Sequence, residues 1–403
     1  MRLFGLLVAT FVLGAAVAAS LEPVIIVPGL SASVLETRYH KKTVPHVFCD
    51  KNVDNWKRIW VRATEMAPEI IDCFLQTMGP VYDGSSNTYS NCEGVQMQPH
   101  DFGGLEGIYS LDPDLREKTE VYGPLIDYFV KRGYKAGETL YGAPYDWRVT
   151  APDVNAKNGM YAALQTLVEQ AVNRTGQPAH LIGHSLGSPF VHMFLATYTT
   201  QAWRDRYVGS FISLAGPFGG STMATEYTLC GMDWRVPGLS KSHIRDLMRN
   251  MGSAAWMMPF GPGADYVILS TPQRNYSLED LPQLFLDAGA PSTAAMVRHV
   301  QTYLDQASVI PPGVETHLFY SRNTTTPLTY YEPAGVHCSG DQAGPEVVAS
   351  RPGDGTVVDW SLLGYAYWKT QPQPLTSYEV ASDHVGVISD PMVLKLIGEI
   401  VGL

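Results

Sequence analysis

The segment Ala179-His180-Leu181-Ile182-Gly183-His184-Ser185-Leu186-Gly187 constrains this chain more tightly than any other. A short apolar run enters Gly-x-Ser-x-Gly and leaves it into a helical pattern. This is the pattern of a nucleophile elbow, a turn so sharp that side chains at positions 183 and 187 would collide with their neighbours. The strain holds the Ser185 hydroxyl above the end of a strand, at the mouth of a helix whose first N–H groups have no partner of their own.

The surrounding pattern agrees with a parallel sheet. Val24-Ile25-Ile26-Val27 is an unbroken apolar run stopped by Pro28-Gly29, as expected of a strand buried on both faces. Helical spacing follows near 122–132 and over 159–172, where Tyr161, Leu164, Leu167, Val168 and Ala171 recur on one face. Further strands read at 139–144, 211–215, 316–320 and 375–380, and a last helix at 391–401. Strands alternating with helices predict an α/β fold with helices on both faces. Between 218 and 312 the alternation loosens, Met, Trp, Pro and Gly become frequent, and no strand order emerges; this reads as a cap inserted over the sheet. Within it, 221–259 carries Met223, Met232, Met248, Met251, Met257 and Met258 with Trp234 and Trp256, either a soft acyl-binding lid or ordinary cap core.

Residues 1–19 have the form of a secretory signal: Arg2, an apolar run over 3–17, then small residues. The remainder, 20–403, then reads as one catalytic domain, secreted or in the lumen of the endomembrane system or lysosome. A net charge of −11 without any Lys/Arg-rich run argues against nucleic acid as a partner. The five cysteines, Cys49, Cys73, Cys92, Cys230 and Cys338, are free to form disulfides in such a compartment, with an odd one left over. Asn173, Asn275 and Asn323 each open an Asn-x-Ser/Thr sequon, expected on glycosylated loops.

A serine hydroxyl near neutral pH needs a base to take its proton, and that base needs a carboxylate to hold its tautomer. In this fold the chain order is Ser, acid, His. His384, just before the last helix, is the expected base. Asp354, in Gly353-Asp354-Gly355, is the expected acid, with Asp359 and Asp341 as alternatives. The oxyanion calls for two fixed N–H donors: the backbone of Leu186, directly after the nucleophile, and that of Leu30 in the loop after the first strand. Nothing in this chemistry requires a metal or cofactor.

Seven segments together resemble the lecithin:cholesterol acyltransferase and lysosomal phospholipase A2 family of α/β-hydrolases. They are Pro23–Gly29, Gly142-Ala143-Pro144-Tyr145-Asp146-Trp147-Arg148, the serine elbow, Leu214–Gly220, Trp256–Pro259, Ile268–Pro272 and Gly353–Val357, in the family's order. The resemblance implies Ser185, Asp354 and His384 as the triad and Leu30 and Leu186 at the oxyanion positions. It also implies a small interfacial subdomain over 49–73 closed by a Cys49–Cys73 disulfide. There, Trp56, Ile59 and Trp60 at helical spacing, beside Lys57, Arg58 and Arg62, are expected on one face of a short membrane-docking helix. The family's second disulfide has no evident counterpart: Cys230 and Cys338 are free to pair, or Cys92 to join one of them. Leu30 stands where lysosomal relatives carry an acidic residue, and Phe218 stands where a tryptophan is common.

The resemblance implies a phospholipase A or phospholipid O-acyltransferase working through an acyl-enzyme at a membrane or lipoprotein surface, with water or a lipid alcohol as acceptor. A neutral-lipid lipase or another secreted serine esterase uses the same residues. The non-enzyme alternative is a lipid carrier on the same fold.

Overall fold

The computed structural model describes residues 21–60, 62, 70–233, 238–261, 266–338 and 344–403. The signal segment 1–19, Trp234 and Asp341 lie outside the described residues.

Successive residues of a strand face opposite ways, so an unbroken apolar strand has two dry faces. In β1 (Val24–Val27), Val24 and Ile26 enter one core, and Ile25 and Val27 the other. Around it run β2 (Leu140–Gly142), β3 (Ala179–His184), β4 (Val208–Leu214), β5 (Thr316–Ser321) and β6 (Leu375–Val380). The six form one sheet in the order β6-β5-β4-β3-β1-β2, with every pairing parallel. On one face lie the helices Gly123–Val130 and Pro391–Ile400, on the other Met160–Thr175 and Gly187–Met193. The Met160–Thr175 helix buries Tyr161, Leu164, Leu167, Val168 and Ala171, the face read from the sequence, and ends on Gly176 in the left-handed conformation.

The strand order reverses direction between β1 and β3. Ligands of open parallel sheets bind beyond the carboxyl ends at such a switch point. Val27 of β1 is level with Gly183 of β3, so the loop after β1 and the serine elbow emerge side by side.

The 218–312 segment contributes helices Thr222–Cys230, Lys241–Met248, Gly252–Met257, Leu281–Asp287 and Pro291–Ala307. It also holds two strands that the sequence did not announce, Val267–Ser270 and Asn275–Ser277. They join Thr324–Tyr331 and Glu346–Gly353, from beyond the segment, in a four-stranded sheet. Met248, Met251, Met257, Met258 and Trp256 are buried in this layer's core.

Asn52–Trp60 is a strand, not the expected helix. It pairs antiparallel with Leu35–His40, which also pairs with Val95–Pro99. Cys49–Cys73 forms a disulfide and so does Cys230–Cys338, leaving Cys92 as the free thiol. Arg148, whose side chain is fully buried, ties the segment after Leu140–Gly142 to the helix Ile71–Met78 and the strand Thr88–Asn91. Its guanidinium donates to Met78 O (2.9 Å), Asn91 Oδ1 (2.7 Å) and both oxygens of Asp146 (2.9 and 2.6 Å). Its carbonyl accepts from Gly252 N of the 218–312 segment at 3.1 Å. A buried charge is tolerable only when paired and hydrogen-bonded in this way. Among the described residues no helix is long and apolar enough to cross a membrane.

Candidate active site

The elbow is strained as the sequence required: Ser185 has φ 51°. A Cβ at Gly183 would sit 2.6 Å from Gly187 O, and one at Gly187 would sit 2.3 Å from Val27 O. Both contacts are with backbone, so neither position accepts a side chain. The Ser185 amide donates to Leu214 O at 2.9 Å, pinning the turn to β4.

Three distant side chains meet at this turn. His384 Nε2 lies 2.9 Å from Ser185 Oγ, and His384 Nδ1 lies 2.7 Å from Asp354 Oδ2. Asp354 is only 1% exposed. Its Oδ1 accepts from Thr356 N (2.9 Å) and Val357 N (2.7 Å), and its carbonyl accepts from His384 N (2.9 Å). The carboxylate is therefore held by its own tight turn, with Gly355 at φ 94°, and its remaining oxygen faces the imidazole. Since a carboxylate only accepts, this geometry puts the ring proton on His384 Nδ1 and leaves Nε2 bare toward Ser185 Oγ. Of the alternative acids, Asp359 is held by Arg351 (3.1 Å) and Arg322 (3.5 Å) and does not meet the imidazole.

Leu30 lies in the loop after β1, and Leu186 directly follows the nucleophile. Among the described residues neither amide is engaged by another protein group. Gly29 N, in contrast, donates to Tyr122 Oη at 2.8 Å. A largely apolar cleft of about 440 Å³ runs beside Ala143–Asp146, lined by Met97, Phe102, Tyr145, Met160 and Phe190 among others. Ser185 does not line it, and both Ser185 and His384 are 8% exposed.

A second serine and histidine approach each other at the amino ends of the strands, where His180 Nδ1 lies 2.8 Å from Ser210 Oγ and Nε2 faces Glu22. Ser210 is buried within strand β4, next to a bulge in its pairing with β3, without an elbow and at the opposite edge from Leu30. A hydroxyl and a base without oxyanion donors are not a catalytic arrangement.

The docking trio separates. Ile59 and Trp60 are 1% and 3% exposed, so neither meets a membrane surface. Trp60 packs edge-on to Trp147 at 5.2 Å and donates from Nε1 to Ser31 O at 2.7 Å. Trp56 is half-buried under the Arg38 guanidinium, 4.8 Å from its ring. Next to the Cys49–Cys73 link, Val47 and Phe48, immediately before Cys49, are exposed apolar side chains among the described residues. Their signal in the sequence is an apolar pair inside an otherwise polar loop next to a cysteine. The side chains of Asn173, Asn275 and Asn323 are exposed, although Asn173 sits in the last turn of the Met160–Thr175 helix rather than in a loop.

A parallel sheet with a serine elbow at its switch point, and an imidazole and carboxylate delivered beyond its later strands, defines an α/β-hydrolase. The chain belongs to the lecithin:cholesterol acyltransferase family, whose profile matches residues 56–309. It is 31% identical over 382 residues to the lysosomal phospholipase A and acyltransferase of Rattus norvegicus, covering 92% of this chain and 88% of that one. It is also 31% identical over 357 residues to the phosphatidylcholine-sterol acyltransferase of Homo sapiens, covering 88% of this chain and 78% of that one. Among solved structures, a chain of the Tle4–Tli4 complex superposes with a TM-score of 0.56 at 13% identity, covering 95% of this chain and 99% of that one, a likeness of fold.

Proposed function

We propose that this enzyme cleaves an acyl ester of a glycerophospholipid through an acyl-enzyme on Ser185. The observation that carries the reading is the unbroken line from Ser185 Oγ to His384 (2.9 Å) to Asp354 (2.7 Å) beside two unengaged amides. Ser185 Oγ attacks the ester carbonyl carbon while its proton passes to His384 Nε2. The carbonyl oxygen becomes an oxyanion, facing the N–H groups of Leu30 and Leu186. Collapse breaks the ester bond, and the lysophospholipid hydroxyl leaves with the proton from His384. Asp354 stabilises the imidazolium between the two steps. Water, or the hydroxyl of a sterol or ceramide, then gives its proton to His384 and takes the acyl group, and the bond to Ser185 Oγ breaks as His384 returns that proton to it. The family and the names of the relatives support phospholipid as donor.

Access to lipid places the protein at a membrane or lipoprotein surface, with Val47 and Phe48 as the apolar contact. Two disulfides and exposed sequon asparagines suit a secreted or luminal protein carrying glycans at Asn173, Asn275 and Asn323.

The test is incubation of the purified protein with phosphatidylcholine vesicles, with and without a sterol or ceramide, and identification of products by mass. Lysophospholipid with free fatty acid marks hydrolysis, and a sterol or ceramide ester marks transfer. Ser185→Ala should abolish both and also abolish labelling by an active-site phosphonate. Product formation by Ser185→Ala equal to wild type would remove Ser185 from the reaction. A wild-type protein that is neither labelled nor active would be a carrier.

A further inference from the structure

Behind the triad runs a buried chain of hydrogen bonds that the reaction itself does not use. Gly29 N lies 2.8 Å from Tyr122 Oη, Tyr122 Oη lies 2.9 Å from His184 Nδ1, and His184 Nε2 lies 2.9 Å from His384 O. Tyr122 is fully buried, and its ring meets the His184 imidazole edge-on at 5.7 Å. The chain starts one residue before Leu30 and ends on the carbonyl of the proposed base.

The proton positions along it follow from its two ends. A backbone N–H only donates, so Tyr122 Oη accepts from Gly29 and has its own proton for His184 Nδ1. A backbone carbonyl only accepts, so His184 Nε2 carries the ring proton toward His384 O. The two arguments start from opposite ends and give the same tautomer. His184 holds one proton, not two: burial lowers its pKa from 6.5 to about 3. The whole chain is thus directed, each member fixing the next. Gly29 packs close to the elbow, with no room for a side chain, since a Cβ there would stand 2.9 Å from Ser185 Cβ.

We propose that Tyr122 is a positioning residue: through His184 it ties the loop presenting the Leu30 amide to the loop presenting His384, so that oxyanion donor and base are set by one shared connection. This rests on the triad and oxyanion assignments proposed above. Oxyanion donors act by being fixed where charge develops, and a shift of the Gly29–Leu30 peptide weakens transition-state binding more than substrate binding. Removal of the Tyr122 hydroxyl leaves Gly29 N without its acceptor and frees His184 to exchange tautomers. The other tautomer has no proton to offer His384 O.

The test uses the full-length protein with a soluble short-chain ester, comparing Tyr122→Phe, His184→Asn and the double variant. Tyr122→Phe should lower kcat by about 10- to 100-fold with KM within about twofold, the signature of an interaction made in the transition state. The double variant should fall little below the worse single one, because both remove one connection. Tyr122→Phe keeping more than about half of the wild-type kcat, or losses that multiply in the double variant, would overturn the proposal. A second measurement needs no variant. The imidazole nitrogen-15 shifts of His184 in the wild-type protein should show a protonated Nε2 and a bare Nδ1 at neutral pH, and the opposite tautomer would overturn the proposal. Ser185→Ala run alongside keeps the two readings apart: its continued turnover sinks the triad assignment, whereas an inactive Ser185→Ala beside an unaffected Tyr122→Phe sinks only this proposal.

Discussion

Asp354 illustrates how much work one residue's surroundings do. Two backbone N–H groups of its own turn bind Oδ1, and His384 binds Oδ2. Asp354→Asn keeps the size of the side chain and offers an NH₂ where a carboxylate accepted. If that NH₂ faces His384, it forces the ring proton to Nε2, and the base toward Ser185 is lost. The expected outcome is a fall in kcat on the order of 10³- to 10⁴-fold, with the folded protein retained, measured by ester turnover beside thermal unfolding. A loss under tenfold would mean that another carboxylate orients the imidazole. At this scale the sequence is highly legible: glycines 183 and 187 have no room for a side chain, and chain order leaves few candidates for acid and base. Leu30 is different, since a backbone donor leaves no trace in residue type. Its choice rests on its place in the loop after the first strand, and the structure adds that Val27 is level with Gly183 and that Leu30 N has no partner among the described residues.

At the scale of elements, legibility depended on whether a segment's periodicity had one reading. The Met160–Thr175 helix showed its buried face in full. Asn52–Trp60 did not, because Trp56, Ile59 and Trp60 fit a helical stripe as well as a strand. Pairing with Leu35–His40, 12 or more residues away, decided it. The strand places Trp60 against the loop after β1, where it donates to Ser31 O, while Val47 and Phe48 stay exposed, the lipid contact proposed above. Val47→Asp with Phe48→Asp should therefore cut activity on vesicles by about tenfold or more and leave a soluble ester turned over at the wild-type rate. Equal effects on both substrates would remove this tip from the lipid interface. The cysteines carried a similar ambiguity, since three of them could pair in several ways. Cys230–Cys338 closes a separation of 108 residues and clamps the cap helix Thr222–Cys230 to the turn after Thr324–Tyr331. On chain entropy, Cys230→Ser with Cys338→Ser should lose about 4–5 kcal/mol, more than the roughly 3 kcal/mol expected for the 24-residue Cys49–Cys73 link. Urea unfolding of the two double variants tests the order.

For the molecule as a whole, buried titratable groups set opposing pH responses. Burial lowers His184 from 6.5 to about 3 and His192 from 6.5 to about 4. A histidine kept neutral by the fold contributes stability that is complete above pH 6.5 and is lost as pH falls toward the folded value. Glu226, on the first cap helix, moves the other way: burial raises it from 4.5 to about 7. Its contribution is complete below pH 4.5 and is lost as pH rises through about 7, where the buried carboxyl must ionise. Near pH 5.5 the unfolded chain carries almost two protons on the histidines against one on Glu226 in the folded chain. From these three groups, then, stability falls as pH falls, with a slope of about 1 kcal/mol per pH unit. Glu226→Gln removes the opposing term. The variant should gain on wild type by about 3 kcal/mol as pH rises from 4.5 to 7, and its own stability should fall more steeply toward acid. Urea unfolding of both proteins at pH 5 and pH 7.5 measures the difference, and parallel pH curves would mean that the Glu226 carboxyl is ionised in the folded cap throughout. The direction matters for a lipid enzyme that works either in an acidic lumen or in neutral fluid. In the first the buried Glu226 carboxyl is neutral; in the second it ionises in a helix, Thr222–Cys230, packed beside the strand Thr324–Tyr331, whose first residue pairs with Gly353, next to Asp354.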